Sequence, residues 1–320
     1  MRISDFSRCA FGFCVAAALL AGCGGSQPSI RAPSTLAQNA SVVTHGAHGQ
    51  AAKRDLIYAA TGNNVYILTY PAGKFVGALN VNGYTLCSDR DGDVFVPEPA
   101  TDQILEYAHG VTTPFKVLSD EAQPLDCAVD KKTGDRAVTN EASGQGTIAV
   151  FPKAEEPAQY FGDPAMDIFG QCGYDSHGNL FADGIGNGNI FAELPEGSGT
   201  FRNFTMPDGL DAFGSVQWDG TYITLANPTT RKVYRLQVSG SRFKIAGIVR
   251  ASGWQNAYEA HWPYIQTWLR NGAFVAQSKG ETAEIGIWPY PVGGRAKRVI
   301  GNFESSSADL YGVTISLAQR

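Results

Sequence analysis

From residue 55 onward, short apolar runs alternate with polar turns at a regular period. An Asp-and-Gly turn recurs between two such runs: Ser88-Asp89-Arg90-Asp91-Gly92, Val129-Asp130-Lys131-Lys132-Thr133-Gly134, Tyr174-Asp175-Ser176-His177-Gly178 and Trp218-Asp219-Gly220. With Arg270-Asn271-Gly272, the turn glycines stand 42, 44, 42 and 52 residues apart. Each turn leads into a run rich in β-branched and aromatic residues, such as Asp93 to Val96, Asn179 to Ala182 or Tyr222 to Ala226, which predicts a strand. A third strand ends in a bulky residue and a turn, as in Tyr70-Pro71-Ala72-Gly73, Tyr107-Ala108-His109-Gly110, Phe151-Pro152-Lys153-Ala154, Leu194-Pro195-Glu196-Gly197 and Tyr290-Pro291-Val292-Gly293. A fourth, outermost strand follows at Lys74 to Leu79, Phe115 to Leu118, Ala158 to Phe161, Phe201 to Phe204, Arg242 to Val249 and Arg295 to Ile300.

Four strands per repeat of about 40 to 50 residues is the period of a β-propeller blade. The first set starts at its second strand, Leu56 to Thr61, and lacks an innermost strand of its own. The segment from Asp309 to Ser316 has the pattern of that missing strand. The expected fold is therefore all-β: a six-bladed β-propeller of four-stranded antiparallel blades, closed by a C-terminal strand that completes blade one and leaves no open edge.

The run Cys172-Gly173-Tyr174-Asp175-Ser176-His177-Gly178-Asn179-Leu180-Phe181-Ala182-Asp183, like Cys87 to Val96, resembles the NHL-type repeat. The resemblance covers residues 55 to 317. It implies a propeller whose six-bladed relatives include sugar lactonases, peptidylglycine lyases and many non-catalytic ligand-binding or scaffold domains, among them bacterial lipoproteins with no assigned activity. Fold analogy does not choose among these.

The N-terminus adds an address. Arg2 and Arg8 precede an apolar stretch from Phe11 to Leu20, too short for a permanent span, and Leu20-Ala21-Gly22-Cys23 follows. This resembles a bacterial lipobox, in which the cysteine thiol is acylated and becomes the new N-terminus. The expected organisation is a lipoprotein signal peptide over 1–22, a lipidated Cys23 with a flexible tether over 23–54, and the propeller over 55–320. The tether is Ser, Ala, Gln, Pro and Gly with few large apolar side chains, and its reach is about 30 Å by random-coil scaling. The expected location is the bacterial cell envelope, with the outer membrane or cell surface favoured by Gly24 after the cysteine.

Charge narrows the partners. The chain carries 25 basic and 30 acidic residues, net −5, and the basic ones are scattered apart from Lys53-Arg54 and Arg295 to Arg298. No stripe exists that would track a phosphate backbone, so nucleic acid is not expected. The expected partners are the membrane, through the anchor, and an envelope ligand or protein, with the propeller itself a monomer. Of six cysteines, only Cys87, Cys127 and Cys172 fall in the propeller. Buried small hydrophobes are the default expectation; a disulfide Cys127–Cys172 or Cys87–Cys127 is open.

Residues at the starts of first strands and the ends of second strands should surround one funnel. Glu98, Asn140, Asp183 and Asn227 end second strands and carry the hard oxygen ligands that calcium would need in a lactonase-like hydrolase or lyase. Gln277 also ends a second strand, and Tyr84, Phe169, Phe213 and Tyr264 start first strands. The bland reading is that polar residues end strands because loops begin there. Asp89 to Asp93 has the look of a calcium loop without its distal Glu. Histidines are scarce: His109 and His177 fall in predicted turns, and only His261, beside Glu259, could join an acid–base pair. The leading expectation is a binding or scaffold module for a carbohydrate, peptide or protein, presenting Trp254, Tyr258, Trp262 and Tyr264 at the funnel mouth.

Overall fold

The computed structural model describes residues 53–141, 145–205, 210, 214–227, 230–254, 268–270, 273–278, 284–301 and 310–319. The expected signal peptide, Cys23 and nearly all of the tether lie outside these residues. The described strands form six sheets, five with four strands and one with five. In each sheet an innermost strand opens an antiparallel meander. These innermost strands are Gly312–Ser316, Cys87–Ser88, Gln123–Val129, Met166–Tyr174, Ser215–Trp218 and Trp268–Arg270.

Alternation along the strands explains how the sheets assemble. Along Leu56–Ala60, every side chain is buried. Ile57 and Ala59 pack on one side with Leu68, Ile285, Ile287 and Val313, whereas Leu56, Tyr58 and Ala60 pack on the other with Val65, Leu86, Val94 and Val96. Successive side chains in a strand point to opposite faces, so a sheet apolar on both faces needs a neighbour on each. The remaining clusters repeat this arrangement: Phe95 and Ile104 meet Val138 and Ala149, Ala137 and Ile148 meet Phe169 and Ala182, Phe181 and Phe191 meet Leu225 and Tyr234, and Val233 and Val249 meet Trp288. Each cluster thus joins two consecutive sheets, and the first joins the sixth sheet back to the first. This arrangement is a β-propeller with four-stranded antiparallel blades.

The C-terminal segment pairs antiparallel with the first sheet in full register, from Leu56 opposite Ser316 to Ala60 opposite Gly312. Side chains carry the contact on to the second sheet. The Ser88 hydroxyl donates to the Ile315 carbonyl at 2.9 Å, and Ser316 bonds the Gly92 carbonyl and meets His109 Nδ1 at 2.5 Å. His109, expected in an ordinary turn, is buried, and its Nε2 lies 3.1 Å from the Arg54 carbonyl.

The repeating turn aspartates have a structural task. Asp89 Oδ1 accepts N–H bonds from Asp91 and Asp93, Asp130 Oδ1 from Lys132, Asp175 Oδ1 from His177 and Asn179, and Asp219 Oδ1 from Thr221 and Tyr222. Two of them use the second oxygen to hold the next sheet: Arg136 reaches Asp89 Oδ2 at 3.2 Å, and the Tyr290 hydroxyl donates to Asp219 Oδ2 at 2.6 Å. Asp89 to Asp93 is therefore an Asx-type turn, not a calcium loop.

One outer strand departs from expectation. Arg295 to Ile300 is split: Arg298–Ile300 stays in the sixth sheet, but Gly294–Arg295 pairs parallel with Ala251 and Ser252 of the fifth, which makes that sheet five-stranded. The break follows Gly293, whose φ of 75° and close approach to the Arg250 carbonyl leave no room for a side chain.

Gly92 provides a test of how the C-terminal segment seats. It has φ 87°, and an added Cβ would lie 2.2 Å from the Leu317 carbonyl oxygen. Gly92→Ala is expected to lose about 2 kcal/mol or more of unfolding free energy in urea, from backbone strain plus the clash. Gly197→Ala has a similar φ of 71° but open space around it. It should lose only about 1 kcal/mol.

Candidate functional site

The residues expected to ring a funnel are brought into the structure as fasteners. Glu98 accepts from the Asn82 N–H at 3.1 Å and the Thr101 hydroxyl at 2.6 Å, closing its own turn. The Asn140 amide donates to Asp120 Oδ1 at 3.0 Å, and Asp120 also accepts from the Tyr160 hydroxyl. Asp183 is fully buried and accepts the Gln171 N–H at 2.5 Å and the Gly214 N–H at 2.8 Å, so it ties the fourth sheet to the start of the fifth. Asn227 is buried and caps its turn through the Thr230 N–H at 2.8 Å. Among the described residues no group of three or more His, Cys, Asp and Glu side chains is placed to hold a metal. The carboxylate and amide oxygens of Glu98, Asp183 and Asn227 are taken by local donors, and Asn140 Oδ1 is buried without a hydrogen-bond partner among the described residues, so the four do not converge as the expected calcium site.

Trp254 also differs from expectation. It is fully buried against Val233, Val249, Ala251, Trp288 and Tyr290, and offers no surface to a partner. The long loop from 251 carried it into the seam between the fifth and sixth sheets, because burying an indole there is worth more than exposing it. Tyr258, Glu259, His261, Trp262 and Tyr264 lie outside the described residues, as do Phe213 and the side chain of Gln277. Phe169 is buried, and Tyr84 stacks edge-on against Tyr311 with ring centroids 5.1 Å apart.

The cysteines lie on three consecutive innermost strands. Cys87 and Cys127 form a disulfide across the second and third sheets, and Cys172 is a buried free thiol on the fourth. The default of three buried small hydrophobes thus holds only for Cys172. Burial, with the nearby Asp126 and Asp183 carboxyls, pushes the Cys172 thiol well up, so it is no nucleophile at neutral pH. Asp126 accepts the Cys172 N–H at 2.9 Å. Burial raises its carboxyl to about 7, against hydrogen bonds from Cys172 and Thr85. Burial also pushes Asp183 well up. These acids act as clamps between innermost strands, closed off from solvent.

Open space lies instead at the far ends of the innermost strands. A cavity of about 260 Å³ is framed by Cys87, Ser88, Asp89 and Arg90 of the second sheet, Cys127 to Val129 and Lys131 of the third, Cys172 to Tyr174 of the fourth, Val216 to Trp218 of the fifth, and Thr314, Ile315 and Leu317 of the C-terminal segment. Small residues make the convergence possible. A Cβ on Gly173 would lie 2.5 Å from the Val216 carbonyl oxygen, so the fourth and fifth sheets meet there backbone to backbone. Trp218 and Tyr174 are half-buried, and Arg90 and Lys131 are exposed at the edge.

These lining residues escaped the reading of the sequence, yet a signal for them exists. Ser88, Val129, Tyr174 and Trp218 each stand immediately before a turn aspartate. That register position lines the cavity in all four repeats, at the ends of the innermost strands rather than at their starts, where the site was expected.

No family model matches the sequence, and no curated protein is significantly similar to it. Solved structures are similar in fold. A chain from the crystal structure of a nidogen/laminin complex superposes with a TM-score of 0.65 at 14% identity, covering 83% of this chain and 100% of that one. A Bacteroides caccae protein of unknown function gives 0.59 at 9% identity over 82% and 99%, and the Cps50 (Swd1) β-propeller domain of Myceliophteria thermophila gives 0.52 at 10% identity over 78% and 84%. At such identities the likeness is one of fold alone.

Two outcomes test the cysteine and carboxylate assignments. Peptide mapping without reductant should find Cys87 and Cys127 linked and Cys172 alkylated only after denaturation; replacing the bonded pair by Ser should cost about 2–4 kcal/mol, since the bridge closes a 40-residue loop. For Asp126, the folded carboxyl keeps its proton up to about pH 7, whereas the unfolded one loses it near 3.8. Its contribution to stability is therefore complete below pH 4 and falls as pH rises to about 7, by at most about 1.4 kcal/mol per pH unit. Asp126→Asn should consequently be more stable than wild type at pH 7.5 and lose that advantage at pH 4.5, measured by thermal melting.

Proposed function

We propose that this chain is a lipid-anchored binding or scaffold module of the bacterial cell envelope, built as a ring of six blades closed by its C-terminal strand, and that it binds through the cavity at the ends of the innermost strands. The observation that carries the reading is that cavity: a half-open, aromatic and sulfur-lined space with polar groups at its edge, a form that a small-ligand site takes. Propellers commonly serve as binding or scaffold modules, and the buried acids Asp126 and Asp183 are engaged in holding sheets together. The full register of Gly312–Ser316 against Leu56–Ala60 supports the closed ring. The Cys87–Cys127 disulfide supports an oxidising compartment, in keeping with export by the segment before Cys23.

Two measurements test this. A palmitate analogue fed to cells should label the wild-type chain and carry it into the membrane fraction, and Cys23→Ala should abolish both; an unlabelled, soluble wild type would overturn the anchor. A screen of small fragments against the folded protein should give hits that Trp218→Ala weakens at least tenfold. Hits indifferent to Trp218 would move the site elsewhere.

A further inference from the structure

Resting on the cavity reading above, we infer that the ligand is a small organic anion: a carboxylate carried on a flat apolar body of about one ring. Three features of the lining lead there. The first is size, since about 260 Å³ holds a single ring with a short arm. The second is the wall. Half-buried Trp218 and Tyr174 present aromatic surface, and the Cys87–Cys127 disulfide adds polarizable sulfur, so a planar apolar body gains stacking as well as burial.

The third is charge. Asp89 is the carboxylate of the lining, and it is already used: Oδ1 accepts from Asp91 and Asp93, and Oδ2 is paired with Arg136 at 3.2 Å. Arg90 and Lys131 remain. Lys131 forms no ion pair among the described residues, and Arg90 meets Asp91 only at 4.0 Å, with both side chains largely in water, a contact worth little. The cavity edge is thus cationic on a chain whose net charge is −5. Two exposed cations at the mouth of a half-open pocket raise the local concentration of anions there. An amine would be repelled there, and a neutral ring would leave both cations unpaired. Burial also keeps the Tyr174 hydroxyl protonated, and so a donor rather than a competing anion.

An isosteric series tests the inference: phenylacetate, phenylacetamide and 2-phenylethylamine, titrated calorimetrically into the full folded protein at low salt. Phenylacetate is expected to bind at least tenfold more tightly than the amide, and the amine more weakly still. The double variant Arg90→Glu/Lys131→Glu changes only exposed side chains and should keep the fold; it is expected to erase or reverse that order. Trp218→Ala should weaken all three, and circular dichroism checks that it still folds. If the amide binds as well as the acid, or if the double variant keeps the order, the anion inference is wrong while the cavity remains a binding site. If none of the three binds at millimolar concentration but other fragments bind in a Trp218-dependent way, the inference likewise fails and the cavity reading stands. If no fragment of any kind depends on Trp218, both fail.

Discussion

Each sheet of this protein is apolar on both faces, and that constraint governs everything else. An isolated sheet of this kind, or a stack of two, would leave an apolar face in water. Ile57 and Ala59 look toward the sixth sheet while Leu56, Tyr58 and Ala60 look toward the second, and the same division recurs from cluster to cluster. Each large side chain buried in such a seam contributes about 1.5–3 kcal/mol. Among the described residues the backbone ladders run within the sheets apart from Gly294–Arg295 against Ala251 and Ser252, so these seams supply between blades the cohesion that hydrogen bonding supplies within a sheet.

Polar fasteners then fix the register between neighbouring blades. One aspartate oxygen shapes the turn, and at Asp89 and Asp219 the other reaches the following sheet. Asp126 and Asp183 perform a related task deeper down, accepting N–H groups from the next innermost strand. A buried donor or acceptor left without a partner costs more than a made bond returns, so each fastener discriminates against a slipped assembly. The consequence for function is direct. Glu98, Asp183 and Asn227, which look reactive in the sequence, are held by local donors, whereas Trp218, Tyr174, Arg90 and Lys131 surround open space at the ends of the innermost strands.

The period of the repeat, the position of the turn aspartates and the pairing partner of the C-terminal segment were legible in the sequence, because each rests on local spacing or on alternation with a period of two. The extent of most outer strands followed within a residue or two; Arg295 to Ile300 did not, since its division depends on the close approach of Gly293 to the Arg250 carbonyl, a contact 43 positions away in the chain. Trp254 was misplaced for a similar reason: whether an aromatic residue in a loop faces water or a seam depends on what the neighbouring sheet leaves unfilled.

The sequence by itself determined a repeating all-β chain with both strand faces apolar, since those properties are written in the order of residues. Only the tertiary structure decided which of its polar and aromatic groups are free. Glu98, Asn140, Asp183 and Asn227 look alike in the sequence as second-strand ends, but Asp183 lies in the middle of Leu180–Gly186 and holds the adjoining blade, whereas Glu98 and Asn227 end their strands and bond their own turns. Cys87 and Cys127 became a pair and Cys172 a lone thiol because of distances between strands about 40 residues apart. The cavity exists because small residues let the innermost strands converge without filling the axis, a balance of volumes across five sheets that no local pattern encodes.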